Sequence, residues 1–494
     1  METELKFALA QDDPTSLEKQ LARVGLIGRR KAKCQQLHST YYDTPEHDLQ
    51  QAAIALRVRR IGDAPHAQWV QTLKIGGRSD SALSQRGEWE RALPTERLDR
   101  AILHDTPWAQ HDPEGAWSEA LTPVFVTTFE RLSWIVKRGD ARVEVALDRG
   151  SVQMDGHSTP LCELEIELLS GAPAALFDVA EQISRHLALL PLHMSKAERA
   201  YRLAQGTLDA PLRARPPALN RRMEFSEVVQ CVLRESFLQF SANLNTLCNS
   251  DAPEVLHQAR VGWRRFKSAL KLLGQLEEDS GFPALAPLKP LLQHLTQLRD
   301  LEVAASEVFP LYAAAYQEED ARRRHEWQQL EATLARTIGQ QRAALRQTLA
   351  QPGPGIALLQ ITRWLEMGQV HPHPDADKPK KHPYRKWLRQ RVAHLAAQLD
   401  AVPPHPKDAL LQHRTRIISK RLRYSVESLR DWLPEKHAER WLLTAIRHQT
   451  HIGRERDRQQ ALATAQRLQA AQGIVDFLRG AAFSACLVTD AAVR

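Results

Sequence analysis

Two periodicities divide the chain. Over residues 1–200, short β-branched and aromatic runs alternate with polar positions and are separated by turn signals, as at Ile54–Arg60, Trp69–Lys74, Arg142–Asp148 and Cys162–Leu168. This period of two predicts an antiparallel sheet. Helical spacing predicts helices at Pro14–Val24 and Ala174–Leu189. Gly206–Asn220, with Pro211, Pro216 and Pro217, follows neither period and is read as a linker. From about Arg221 onward Leu, Ala, Arg and Gln recur at helical spacing, broken at Pro352–Gly355 and by a His/Pro/Lys stretch at 371–383. The expected domains are 1–205, a linker at 206–220, and a helical domain at 221–494.

The helical half repeats itself. His257-x-x-Arg260-Val-x-x-Arg264-Arg265-x-Lys267 returns as His413-x-x-Arg416-Ile-x-x-Lys420-Arg421-x-Arg423, offset by 156 residues. An Arg-Asp pair follows each copy, Arg299-Asp300 and Arg456-Asp457. Two helical units from a duplicated ancestor are expected, at about 221–350 and 380–490, packed about a pseudo-twofold axis.

In the first half the polar faces of the strands are charged. Residues i and i+2 of a strand share a face. Glu2, Glu4 and Lys6 therefore lie together, as do Arg57 and Arg59, Thr72 and Lys74, Arg86, Glu88 and Glu90, Arg142, Glu144 and Asp148, and Glu163, Glu165 and Glu167. A single such strand reads as an ordinary amphipathic one with its charges in water. Six of them demand compensation, because like charges on alternate positions repel and have poor β-propensity. Divalent cations would compensate the carboxylates, and a polyanion the arginines and lysines. A barrel with charged faces inward and apolar faces under helices meets both demands as a water-filled tunnel. Its carboxylates are the hard oxygen ligands that Mg²⁺ or Mn²⁺ prefers.

Net charge sharpens the division. Residues 1–205 carry 25 Lys and Arg against 29 Asp and Glu, and the remainder 42 against 30, so the halves stand at −4 and +12. The second half is expected to meet a polyanion. On a helix His257, Arg260, Arg264, Lys267 and Lys271 fall within about 80° of arc, with no acidic i+4 partner expected inside either strip. His413, Arg416, Lys420 and Arg423 form the second strip. Cationic neighbours argue against metal chelation by the two histidines. His448, His451, His371 and His373 lack a partner pattern. Five cysteines without Cys-x-x-Cys spacing predict reduced thiols, with neither a zinc site nor a disulfide framework. No run of about 18 apolar residues predicts a membrane span, and no leader pattern precedes Glu2, so a cytoplasmic location is expected.

Taken in order, Glu2-x-Glu4-x-Lys6, Leu-Arg-x-Arg at 56–59, Gln-Thr-Leu-Lys at 71–74, Arg86-x-Glu88-x-Glu90, Arg131 with Trp134, Glu144-Val-Ala-x-Asp148-x-Gly150, Glu-Leu-Glu-Ile-Glu-Leu at 163–168 and Ser195-Lys196 resemble the CYTH family of triphosphate tunnel metalloenzymes. One departure is Ala200, where the family often has glycine, which leaves the local turn open. The resemblance implies an α+β multidomain chain whose N-terminal half is an antiparallel eight-stranded β tunnel with flanking helices. It implies Glu2, Glu4, Asp148, Glu165 and Glu167 as ligands of Mg²⁺ or Mn²⁺, with Glu163, Glu88, Glu90 and Glu144 as second choices. Lys6, Arg57, Arg59, Lys74, Arg86, Arg131 and Lys196 would hold phosphates. Water would be activated near Glu2 and Glu4, and either Lys74 or Lys196 would serve the leaving group.

The paired His-x-x-Arg helices, Lys420-Arg421-x-Arg423-Tyr424 and the Arg-Asp pairs resemble a CHAD domain over about 221–490. Thr296-Gln297 departs from the Leu-Gly step that often precedes Arg-Asp, whereas Ile452-Gly453 keeps it. That resemblance implies an all-α duplicated helical bundle that binds inorganic polyphosphate along basic helix faces, through His257, Arg260, Arg264, Arg265, Lys267, Lys271, His413, Arg416, Lys420, Arg421 and Arg423. The expected function is hydrolysis of inorganic triphosphate or short polyphosphate. The alternatives are a non-catalytic polyphosphate binder, or a tunnel acting on thiamine triphosphate or nucleoside triphosphate or as an adenylate cyclase. Nucleic acid is the weaker partner, because the basic strips lack interleaved aromatics for base stacking.

Overall fold

The computed structural model describes residues 1–9, 14–28, 30–63, 65–77, 81–220, 222–274, 281–368, 383–403 and 408–491, without the side chains of 14, 15, 383, 409, 451–457 and 482–491. The His371/His373 pair lies outside the described residues, and His451 and Arg456-Asp457 lie outside the described side chains.

Strands β1 (Glu2–Leu9), β2 (Lys33–Asp43), β3 (Ile54–Ile61), β4 (Gln68–Ile75), β5 (Leu83–Leu93), β6 (Thr122–Arg138), β7 (Ala141–Met154) and β8 (His157–Ser170) form one antiparallel sheet ordered β5-β4-β3-β2-β6-β7-β8-β1. Pairing of β1 with β5, from Glu2↔Arg86 to Leu5↔Leu83, closes it into the expected eight-stranded barrel. Alternation sorts the faces. Leu5, Phe7, Val143, Val145, Leu147, Leu164 and Ile166 point outward into a dry core. That core is completed by Leu17 and Leu21 of α1 (Pro14–Leu21) and by Leu176, Phe177, Val179 and Ile183 of a later helix, Ala174–Ser184. Elsewhere on the outside, Leu56 and Leu73 pack under Leu103 and Trp108. The short helices α2 (Asp48–Gln51) and α3 (Ala116–Ala120) precede α4, which is Ala174–Ser184, and α5 (Lys196–Ala204).

Two expected helices are shorter than their spacing suggested. The first stops at Leu21, and Val24 follows in a turn. The second stops at Ser184, and Leu189–Pro191 is a ninth strand, β9, which pairs with β1 at Phe7↔Pro191, Ala8↔Leu190 and Leu9↔Leu189. Leu189 and Leu190 repeat at helical spacing, but the end of β1 beyond its β5 partner offers unpaired backbone groups, and pairing with them prevails. Ala200 sits fully buried inside α5, so the position left open by the absent glycine is continuous helix.

The second half is all-α, as expected: α6 (Phe225–Leu247), α7 (Pro253–Leu272), α8 (Lys289–Val303), α9 (Pro310–Gln317), α10 (Ala321–Leu349), α11 (Pro352–Met367), α12 (Pro383–Asp400), α13 (Ala409–Ser428), α14 (Glu435–Arg467) and α15 (Gln472–Ala491). The repeat is visible in the helix bounds, because α7 shifted by 156 residues coincides with α13. Residues 206–220 carry neither helix nor strand, and Asn243 Nδ2 and Oδ1 hold the main chain of Leu212 at 2.9 and 3.0 Å.

Between the two repeats, α11 packs on the barrel. Its Leu359 is fully buried in the core beneath α4, while Leu190 of β9 is buried in the core of the helical half. Gly355 makes the approach possible, since a Cβ there would stand 2.7 Å from the Leu189 carbonyl oxygen. Arg363 reaches Asp178 and Glu181 of α4, each at 2.9 Å, and Asn245 donates to the Pro191 carbonyl at 2.7 Å. The halves therefore share apolar surface. Leu359→Ala is expected to cost about 2–5 kcal/mol and to lower the stability of both halves in one cooperative denaturant transition, followed by circular dichroism. Two separated transitions, with the barrel unaffected, would contradict this.

Candidate active site

The strand register carries the charged side chains round the barrel. Starting from β1, Glu2 faces Arg86 on β5, while Glu4 faces Glu167 and Lys6 faces Glu165 on β8. Glu163 lies opposite Asp148 on β7, which lies opposite Arg131 on β6. Tyr41 and Ser39 of β2 lie opposite Arg57 and Arg59 of β3. Arg57 then faces Thr72, Thr72 faces Glu90, and Lys74 faces Glu88, which completes the circuit. The tunnel wall thus holds every phosphate-binding and metal residue that the strands were expected to supply, and α5 adds Lys196.

Two groups of carboxylates converge inside. In each, one oxygen per residue lies within 4.8 Å of the others: Glu2 with Glu88 and Glu167, and Asp148 with Glu163 and Glu165. The second group is largely neutralised by protein. Arg131 grips Asp148 with two bonds of 2.7 Å and reaches Glu165 at 2.5 Å. Lys196 meets Asp148 at 2.8 Å and Glu165 at 2.9 Å, and also Glu163. Burial alone would raise these carboxyls, but Arg131 and Lys196 hold Asp148 down, and Lys196, Lys6 and Arg131 hold Glu165 well down. Glu163 stays high because burial outweighs Lys196, and its Oε2 has no hydrogen-bond partner among the described residues.

The first group is under-neutralised. Lys74 binds Glu2 at 2.6 Å and Glu88 at 2.9 Å, and Arg86 binds Glu2 at 2.9 Å and Glu4 at 2.7 Å. These contacts hold Glu2 at about 2 against the effect of burial. Glu167 receives no ion pair among the described residues, and burial with the charges of Glu2, Glu4 and Glu88 pushes it up to about 7. The donor set, all hard oxygens with excess negative charge, is of a kind that fits a divalent cation. Glu88, a second choice on sequence, therefore belongs with Glu2 and Glu167. Glu90 is exposed and turned to Thr72 at 2.9 Å, and Glu144 stands outside both groups.

The opposite wall is cationic. Arg59 is half-buried and donates to Ser39 Oγ at 3.0 Å, and desolvation with the charges of Arg57 and Arg131 presses it down to about 9. Arg57 bonds the Tyr41 hydroxyl at 3.3 Å and comes no nearer than 4.0 Å to Glu90. Burial would raise the Tyr41 phenol, but Arg57 and Arg59 bring it down to about 8. Phe129 is shared by three cations, Arg59, Arg131 and Lys196, within 5.8, 5.8 and 5.1 Å of its ring centre.

Sequence reading missed Tyr41, Ser39 and Phe129, which carry no charge, and the device that sets Lys196. Ser195 caps α5 by accepting from the Glu198 amide at 3.0 Å. Tyr201, one turn beyond Lys196, donates its hydroxyl to Asp43 at 2.6 Å. Asp43 also accepts from the amides of Thr44, Leu49 and Gln50. The Tyr41-Tyr42-Asp43-Thr44 run at the end of β2 was the available signal.

On the helices, Lys267, Lys271 and His413 are exposed, and Arg260, Arg264, Arg416, Lys420 and Arg421 are half-buried. The imidazole of His257 is held down by burial, Arg299 and Arg264. Arg265 is buried, bonded to Glu427 at 2.8 Å and set over the Tyr424 ring. Arg423 binds the same Glu427 at 2.8 Å. That i,i+4 pair corrects the expectation of strips without acidic partners, and Glu427 ties the two repeats together.

Residues 1–201 match the CYTH domain and residues 231–466 the CHAD domain. A protein of Haemophilus influenzae described as an inorganic triphosphatase is 31% identical over 207 residues, which cover 41% of this chain and 54% of that protein. The chain thus spans about half the length of the curated relative it matches. Among solved structures, the CHAD domain of the plant Ricinus communis is 26% identical at a TM-score of 0.45, covering 56% of this chain and 91% of that one. A Hippeastrum protein, described as an adenylyl cyclase with a dominant triphosphatase activity, is 17% identical at a TM-score of 0.30, covering 42% and 96%. No helix of the described residues is long and apolar enough to cross a membrane. The chain is built of a CYTH domain, the triphosphate-tunnel fold, followed by a CHAD domain.

Proposed function

We propose that the tunnel hydrolyses inorganic triphosphate with Mg²⁺ or Mn²⁺, and that exposed cations of the helical domain hold polyphosphate. The observation that carries this reading is Arg59, a half-buried guanidinium with no carboxylate in an ion pair with it among the described residues, facing a wall with surplus carboxylates. A linear phosphate chain neutralises the first wall and a metal ion the second. The activity of the Haemophilus influenzae relative agrees with this chemistry. A silent polyphosphate binder would have no use for the converging carboxylates of Glu2, Glu88 and Glu167.

Glu2, Glu88 and Glu167, with Glu4 alongside, would hold the ion, and Asp148, Glu163 and Glu165 would take a second only by displacing Lys196. When bound, the ion supplies charge neutralisation on phosphate oxygens and a more acidic water for in-line attack. Arg57, Arg59 and Arg131 hold the chain, with Lys6 and Arg86 at its metal side. Burial, Arg86 and Arg57 lower Lys74, whereas Asp148, Glu163 and Glu165 raise Lys196 against burial. Lys74 is therefore the better proton donor to the leaving pyrophosphate, and Lys196 a fixed positive charge. Lys267, Lys271, Arg264 and Arg421 would carry polyphosphate with His257, Arg260, His413, Arg416 and Lys420 beside them, while Arg265 and Arg423 brace the repeats.

Phosphate release should be fastest from triphosphate, compared with ATP, thiamine triphosphate and long polyphosphate, and should vanish in EDTA; equal rates with and without metal would sink the reading. Arg59→Ala should lower kcat/KM for triphosphate on the order of 10²–10³-fold without loss of folding stability in urea, because no partner charge is orphaned. The phenol of Tyr41 is below its unfolded value, so its stabilisation is complete above about pH 10 and is lost as pH falls through about 8. Ultraviolet titration should show one tyrosine ionising near there, absent in Tyr41→Phe. Triphosphate bound to Arg57 and Arg59 should move that ionisation upward.

A further inference from the structure

The second helical repeat holds a group of donors that the tunnel and the basic strips leave unused. Arg385, in the first turn of α12, lies over the ring of Trp432 with Cζ 5.1 Å from its centre. Trp432 ends the 3-10 turn Arg430–Trp432 between α13 and α14 and is 4% exposed. Its indole Nε1 has no acceptor among the described residues, and neither have the enclosed Nε and Nη2 of Arg385. Arg389, one turn along α12, gives its Nε to the Trp432 carbonyl at 2.8 Å and is otherwise exposed. Around them stand Phe225, Tyr384 and Trp387, with ring centres of Tyr384 and Trp432 5.8 Å apart.

The nearby carboxylates are not the partners. Asp431 and Glu435 are exposed, and Glu224 and Glu227 are spent on the capping box of α6. Native proteins leave few buried donors without acceptors, so three at one place, two of them on one guanidinium, indicate a ligand. A neutral acceptor would satisfy a single N–H but leave the guanidinium charge unmatched. An oxyanion does both, since several oxygens can accept in parallel from a planar guanidinium and an indole N–H. The +12 charge of this half favours an inorganic anion over an acidic side chain of another protein.

We propose that Arg385, Trp432 and Arg389 form a binding site for a phosphate group, separate from the basic strips of α7 and α13. The group is either free inorganic phosphate or the end of a phosphate chain. The site stands independently of the reading of the tunnel, because its residues belong to neither the barrel nor the strips.

The test uses the full chain labelled with ¹⁵N in its 11 tryptophan indoles. The Trp432 signal is assigned by its loss in Trp432→Phe. Phosphate, triphosphate and acetate are titrated at constant ionic strength. Phosphate or triphosphate should move the Trp432 Nε1–H signal downfield to saturation, and Arg385→Gln should abolish the movement while the other indole signals keep their places. Saturation at lower triphosphate than phosphate assigns the site to a chain end, and equal saturation to free phosphate. If Arg385→Gln disturbs the other signals, Arg385→Lys is used, which should weaken binding at least about tenfold. No movement in tens of millimolar phosphate, equal movement in the variant, or acetate acting as well as phosphate would overturn the proposal.

Discussion

Charge enclosed in a closed barrel is the constraint on which the rest depends. Strands that alternate cleanly can bury their apolar faces outside only by turning their charged faces toward one another inside. There the cost of desolvating an ion is repaid only by good partners. The protein satisfies part of this with its own pairs, most fully around Asp148, where Arg131 and Lys196 close on the carboxylate from two directions. It leaves two walls unequal, an arginine wall at Arg57 and Arg59 and a carboxylate wall at Glu2, Glu88 and Glu167. The imbalance is a standing electric field across the bore. On the proposed reading, that field suits a ligand that is itself a chain of anions with a cation attached.

The barrel was legible because its information is local and repeated. Period-two alternation in β1, β3, β4, β5, β7 and β8 named the wall residues before any fold was known. β2 escaped notice because Leu37, Ser39 and Tyr41 carry no charge, although their face holds Arg57 and Arg59 in place. Relative importance within the wall was not legible either. The choice of Glu88 over Glu144, or of Lys74 over Lys196 as proton donor, depends on which cations stand across the bore, and register alone does not give that.

Long-range packing was the least legible part. Residues 206–220 carry neither helix nor strand, yet irregular chain did not mean independent domains. Leu359 and Gly355 look like ordinary members of an apolar helix, and only the fold shows one filling the barrel's core and the other admitting the β9 backbone. The basic repeats were legible as a pattern, but Arg265 and Arg423 turned out to converge on one glutamate. Equal spacing in sequence therefore concealed unequal roles in space.

The pairing of β1 has a consequence for how the protein comes into being. β1 needs β5 along Glu2–Leu5, β8 along Glu4–Ala8 and β9 at Phe7–Leu9, and all three follow it in the chain. Its last partner arrives some 180 residues later in the chain. Until β5 and β8 have been made, Glu2, Glu4 and Lys6 lack their cross-strand partners and the cylinder is an open curved sheet. Closure is thus a non-local, slow event of the kind that sets folding rates in β proteins. Residues 2–9 are thus made before every strand they pair with, and a nascent chain that stops short of β9 has every strand of the barrel yet lacks Leu190, which is buried in the core of the helical half.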